Sequence, residues 1–230
     1  MAGSTETSLG YGTIKDQMTG FIGQFSDGGN WDDSLGDDYS IIQQYGSRSP
    51  ISPLFPQNFA LVDTQPTAPS ISDSKIHSYL TSLFTSNRLV ASESVLYGIY
   101  FPPGMRVTLQ RGASCSSFCG YHGNFAYAGL SIKYASFPYL NCSACSLTGK
   151  KVADMLTIVT SHEIREAVTD PNLNAWYDSV GYEADDKCAW HNLYQMTFGG
   201  FWVQPEYSNG NKVSASGKTY PGPGCVVPNR

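Results

Sequence analysis

His162 and Glu166 stand four residues apart in the stretch Thr160-Ser161-His162-Glu163-Ile164-Arg165-Glu166-Ala167-Val168-Thr169-Asp170-Pro171. On a helix this spacing stacks the two side chains on one face, with Glu163 beside them. An imidazole and a carboxylate in that register can share a divalent cation, and a second carboxylate between them can carry a proton. The zinc-hydrolase pattern H-E-x-x-H works this way: two histidines hold the metal and the glutamate acts as general base. Here Glu166 takes the place of the second histidine.

Five residues of this kind also recur by chance on surface helices, so the flanks decide. Val152, Met155, Leu156 and Val159 form an apolar stripe, which steps of three and four carry on through His162, Glu163 and Glu166. The polar cluster therefore continues a buried face. Burying carboxylates beside an imidazole costs several kcal/mol per unpaired ion, which a cation offsets.

A zinc site needs a third protein ligand, and a catalytic one keeps a position for water. Asp186 is the first choice, Glu183 the second and Asp170 the third. The first two arrive from a separate loop fixed by Cys188. Asp170 lies on the same helical face as His162 but two turns on, where it also reads as a turn residue before Pro171. Glu183 and Asp185 read equally well as part of a solvated acidic loop. His122 is expected to be a hydrogen-bonded histidine, with a place lining the site as its alternative. His77 and His191 carry no motif and read as structural. Arg165 should point to solvent or pair with a glutamate on the helix surface. Zinc is expected from the motif, and because one histidine with two or three carboxylates is a harder donor set than three histidines, calcium and manganese are the alternatives.

The elements that must position these groups follow from pattern. The metal-site helix is expected at about 148–169, stopped by Pro171. Before it come a helix from Ser72 or Asp73 to about Ser86, with apolar Ile76, Tyr79, Leu80 and Leu83, and a strand from Ser94 to Phe101. A strand from Arg106 to Gln110 and a long extended stretch from Ala126 to Tyr139 complete that half. This order is shared by zincin metalloproteases, in which an edge strand lies above the active-site helix. The expected fold is α/β (α+β), a zincin-like twisted mixed sheet over a buried metal-site helix, stabilised by disulfides. Residues 1–60 read as a Gly/Ser/Asp-rich arm with a short strand at Thr19–Phe25, and 61–230 as the main domain. Asp27, Asp32, Asp33, Asp37 and Asp38 lie among the arm's glycines without calcium-loop spacing. Residues 47–74 are a Pro/Ser-rich extended connector, and the last part, from Tyr194, is a hairpin and a coil held by Cys225.

The bulk numbers exclude several classes. Charged residues make up only 14% of the 230, the net charge is -5, and Lys and Arg cluster no further than Lys150-Lys151, so nucleic acid is not the partner. No run of about 18 apolar residues exists to span a membrane. Met1 opens a polar stretch, so a secretion signal is expected to be absent or already removed. Six cysteines in a chain rich in Tyr and Gly suit an extracellular, disulfide-bonded protein. Cys188 is expected to pair with Cys225, and Cys115, Cys119, Cys142 and Cys145 among themselves, most simply Cys115 with Cys119 and Cys142 with Cys145. A zinc site made by those four is the competing reading. Asn141-Cys142-Ser143 is a formal glycosylation sequon, with a cysteine in its middle.

Three pieces carry a family likeness: Phe118-Cys119-Gly120-Tyr121-His122-Gly123; Ile132 to Tyr139 with Cys142 and Cys145; and Ala167-Val168-Thr169-Asp170-Pro171 with Ala175-Trp176-Tyr177. The chain resembles the exordium, or phosphate-induced, protein family, which comprises secreted plant proteins linked to growth and the cell wall, with microbial relatives. It is most similar to the microbial branch, through Ser161 to Pro171, Trp176, Asp178, Glu183, Asp186, Cys188, Val203-Gln204, Ser208-Asn209 and Cys225. Gly181-Tyr182-Glu183 departs from that branch, where glycine adjoins glutamate. The resemblance implies a fold and an extracellular compartment more than a reaction.

The expected function is a secreted zinc-dependent hydrolase of peptidase type. His162 and Glu166 would be ligands, Glu163 the general base, and a peptide or other extracellular polymer the substrate. The alternative is a non-enzymatic matrix or cell-surface protein that self-assembles into homo-oligomers through the N-terminal arm.

Overall fold

The computed structural model describes residues 13–26, 41, 43–45, 61, 68–196, 199–210 and 221–227. The aspartates of the N-terminal arm and most of the connector at 47–74 lie outside the described residues. Three helices are described, α1 (Ile14–Ser26), α2 (Asp73–Thr85) and α3 (Val152–Thr169). With the strands they form a mixed α/β structure.

The central sheet has the order β2 (Leu96–Tyr100), β6 (Leu130–Phe137), β5 (Tyr121–Tyr127), with β2 parallel and β5 antiparallel to β6. Its side chains alternate between two cores, as the strand period of two requires. Ile132 and Tyr134 of β6 pack with Ile76, Leu80, Leu83 and Phe84 of α2, while Ala135 and Phe137 pack with Met155, Leu156 and Val159 of α3. The sheet is thus the middle of three layers. A second small sheet, β1 (Ser70–Ser72), β3 (Arg106–Leu109) and β4 (Gly112–Ala113), extends the α2 side.

Two expectations about elements change. The extended stretch at 126–139 is a hairpin: β5 begins at Tyr121, and Ala128 and Gly129, at φ 49° and 83°, turn the chain into β6. Paired positive φ values give the tight hairpin turn whose twist matches the strands. The strand expected at Thr19–Phe25 is part of helix α1. Ile14, Met18, Phe21 and Phe25 recur at helical spacing and are all buried in the α3 core, where Phe21 stacks on Phe25 at 4.9 Å. Thr13 Oγ1 accepts from Asp16 N and caps this helix.

α3 is buried almost all round, with α1 and β8 (Trp202–Val203) against it as well as β5 and β6. Lys151 N donates to Asp154 Oδ2 at its start, satisfying one of the first-turn orphans. β7 (Tyr194–Gln195) pairs with β8 in a hairpin, and β9 (Glu206–Ser208) pairs antiparallel with β10 (Gly224–Val226).

All six cysteines form disulfides, Cys115–Cys142, Cys119–Cys145 and Cys188–Cys225. The last is the pairing expected. The local pairs Cys115–Cys119 and Cys142–Cys145 are not formed, because the loop before β5 lies alongside the 3-10 turn Ser143–Cys145 and each cysteine of one faces a cysteine of the other. Sulfurs joined in this way are not thiolates, which removes the four-cysteine zinc site. Closing loops of 27 and 26 residues is worth about 3.5 kcal/mol apiece in the chain-entropy picture. The 3-10 turn Asp185–Cys188 is tied to β10 by the third disulfide. No described helix is long and apolar enough to cross a membrane.

Candidate metal centre

Three elements converge on one point. α3 brings His162, Glu163 and Glu166; β5 brings His122, pointing to the α3 side while its neighbour Tyr121 packs toward α2; and the loop entering the Asp185–Cys188 turn brings Glu183, Asp185 and Asp186. His162 Nε2 lies 3.1 Å from Glu166 Oε1 and 3.6 Å from Asp186 Oδ1. Tetrahedral zinc with bonds near 2.1 Å holds its ligand atoms about 3.4 Å apart, so these separations bracket what an ion needs. His122 Nδ1 is 3.5 Å from both Glu163 Oε2 and Glu166 Oε2, and its Nε2 is 3.8 Å from Glu183 Oε1.

A residue that spacing did not reveal fixes His162. Gln204 follows β8 and is buried at 1% exposure. Its Nε2 donates to the Asp185 carbonyl oxygen at 3.0 Å, which can only accept, so Oε1 must be the end that faces His162 Nδ1 at 3.2 Å. In the neutral imidazole the ring proton therefore sits on Nδ1, which leaves the Nε2 lone pair toward Glu166 and Asp186 for an ion. Such a partner on the other ring nitrogen is what orients metal-ligating histidines. Gln204 had surfaced only as one residue of the family likeness. A buried glutamine in an otherwise apolar run, Phe201-Trp202-Val203-Gln204, is the sequence signal that could have singled it out.

Arg165 is not at the surface. It is fully buried, donates from Nη1 to the Gln204 carbonyl at 2.6 Å, pairs with the buried Glu206 carboxylate, and lies 5.3 Å from the Phe25 ring. With α1 and β8–β9 against it, α3 has no solvent face for a cation there. Asp185, one option for a solvated loop, is 1% exposed, while Glu183 and Asp186 are half-buried. Asp170 ends α3, where its Oδ1 accepts from Asn174 N at 2.6 Å to close a turn, and it acts on the cluster through its charge, which helps to raise Glu183. His77 bonds Tyr134 at 2.9 Å in the other core, and His191 is exposed.

The electrostatics are those of crowded carboxylates. Burial and the Glu166 charge push Glu183 up to about 8, and burial pushes Asp185 up to about 7 despite Arg165. Glu163 and Asp186 are also raised, chiefly by burial. Glu166 is desolvated too, yet His162 and His122 hold it down at about 2. Burial alone would lower both histidines; the carboxylates outweigh it, taking His122 up to about 10 and His162 well above its ordinary value. The centre attracts positive charge, whether protons or a metal ion.

A cleft of about 390 Å³ opens onto this centre, with His162, Glu163, Asp186 and Gln204 on its floor and Cys119-Gly120 and Trp190 among its walls. Gly120 sits where the chain enters β5. A Cβ there would lie 2.5 Å from Val159 Cγ1 and 2.9 Å from Glu163 Oε1, so only glycine lets this wall approach the helix so closely.

Comparison with protein-family models gives no match to this chain, and comparisons with curated proteins and with solved structures give none either.

Proposed function

We propose that this chain is a secreted metal-dependent hydrolase, a zinc peptidase of zincin-like fold and a member of the exordium family. The observation that carries the reading is His162, held at Nδ1 by Gln204 with its Nε2 aimed at two carboxylate oxygens beside a cleft. The fit of a cation can be judged from Glu166 Oε1, which is buried and has no hydrogen-bond partner although it lies 3.1 Å from that nitrogen. An ion bound to both atoms satisfies each of them.

His162, Glu166 and Asp186 would hold the ion. A zinc ion there supplies a Lewis acid for a carbonyl oxygen and acidity for a water. Glu163 takes the proton of the attacking water and returns it to the leaving nitrogen. Burial raises its affinity for protons, which suits a group that must take a proton and then return it. The His122 imidazole, 3.5 Å from Glu163 Oε2, keeps that carboxylate in place. A peptide is favoured as substrate because the cleft wall at Cys119-Gly120 leads into β5, the edge of the central sheet, where an extended backbone can pair. Three disulfides and the absence of a described membrane-spanning helix support an oxidising, extracellular compartment.

Glu163→Gln tests this directly. Zinc content should be unchanged while hydrolysis of a peptide library falls by about 10²-fold or more, the usual contribution of a positioned proton carrier. Zinc bound by a native protein that cleaves no peptide, or equal rates for native and variant, would leave the non-enzymatic alternative with a structural ion.

A further inference from the structure

Glu166 turns its two oxygens to different partners. Oε1 is 3.1 Å from His162 Nε2 and Oε2 is 3.5 Å from His122 Nδ1. Two groups of three therefore share this carboxylate: His162, Glu166 and Asp186 on one side, His122, Glu166 and Glu183 on the other. Within each group the ligand atoms all lie within 4.8 Å of one another.

The second group carries its own sign of a missing partner. His122 is 8% exposed, and its Nε2 and Glu183 Oε1 are both buried without a hydrogen bond. Nδ1 faces two carboxylate oxygens, one each from Glu163 and Glu166, so it carries the ring proton. In the neutral imidazole, the form in which a histidine ligates a metal, Nε2 is an acceptor that faces Glu183 Oε1 across 3.8 Å. That gap is too long for a proton to bridge as a hydrogen bond, but an ion with bonds of about 2.1 Å to each atom spans it. With Glu166 turned to the ions, Glu163 Oε2 remains the partner that holds Nδ1, and a carboxylate behind one ring nitrogen is the arrangement of a metal-ligating histidine.

We propose that the centre binds two divalent cations, with Glu166 as the bridging carboxylate and a second ion on His122 Nε2 and Glu183. The inference rests on the proposed first site, with which it shares Glu166. Neither His122 nor Glu183 lines the cleft that exposes His162 and Asp186, so the second ion is set back from it. It neutralises Glu183 and holds the β5 strand and the 183–188 segment against α3. The donor set of one imidazole and two carboxylates suits zinc or manganese better than a soft thiophilic metal.

The test is zinc stoichiometry of the full chain under non-reducing conditions, after chelator stripping, titration with zinc chloride and desalting. All six cysteines are in disulfides, so thiolates add nothing to the count. Two ions per native chain, falling to one in Glu183→Gln and in Asp186→Asn, is the expected result. One ion in the native chain overturns the second site and leaves the first standing, whereas none overturns both. Two ions retained in Glu183→Gln would overturn the assignment to His122 and Glu183. Glu183 is half-buried and the Gln substitution preserves its volume, so the count is read on folded protein, confirmed by circular dichroism. His122→Ala is a second variant expected to hold one ion.

Discussion

The glutamine at position 204 links three parts of the centre through three different groups. Its amide nitrogen bonds the Asp185 carbonyl, its amide oxygen meets His162, and its own carbonyl accepts from Arg165. Replacing it by leucine keeps the bulk and removes the acceptor that holds the proton on His162 Nδ1. Gln204→Leu should weaken zinc binding by about 10- to 100-fold, the usual cost of losing a partner behind a metal-bound histidine, and should also lower the stability of the zinc-free protein by about 1–3 kcal/mol, because the buried Asp185 carbonyl loses its donor. Competition with a zinc-sensitive dye measures the affinity, and an unaltered value would remove Gln204 from the site. Spacing of three and four within one helix puts His162, Glu163 and Glu166 together, so these residues were readable from the chain. Asp186 could be ranked because a cysteine two residues on fixes its loop. Gln204 was not, because its contact to His162 spans 42 positions and its one local mark is that a glutamine closes an apolar run.

At the scale of elements, α3 explains both what was legible and what was not. The 3.6-residue period and Pro171 located it within a few residues, Val152–Thr169 against an expected 148–169. The apolar stripe implied one buried face and one wet face. With α1 and β8 packed on the far side, the wet face does not exist, and Arg165 became an internal cation paired with Glu206. The pairing is costly to break from one side: Arg165→Met should lower stability by about 3–5 kcal/mol, because Glu206 is left charged and buried. Urea denaturation of the two proteins checks this, and a loss under about 1 kcal/mol would show that the pair does not hold α3 to β9. Helix α1 was misread for a related reason. Phe21, Ile22 and Phe25 among glycines suggest alternation over seven residues, and only the longer window back to Ile14 and Met18 reveals the helical period. The β5–β6 turn was missed because Ala128-Gly129 lacks the Asn-Gly or Asp-Gly pair that usually marks such turns.

Across the whole molecule, the layers and the disulfides serve one arrangement. The central sheet is clamped between α2 and α3, the paired bridges Cys115–Cys142 and Cys119–Cys145 fix the wall that leads into β5, and Cys188–Cys225 fixes the segment carrying Glu183 and Asp186. An even cysteine count made the disulfide framework legible, but connectivity depends on which loops lie side by side, which no spacing reveals. The segments so fixed bring five carboxylates, Glu163, Glu166, Glu183, Asp185 and Asp186, around two imidazoles. Carboxylates crowded in this way draw in positive charge, as protons or as a metal ion, and in the proposed function the ion supplies it. X-ray anomalous scattering measured on either side of the zinc absorption edge, from crystals of zinc-loaded protein, tests this most directly. A peak is expected between His162 Nε2, Glu166 and Asp186. Zinc-loaded crystals with no peak there, or with zinc only at surface residues, would contradict it.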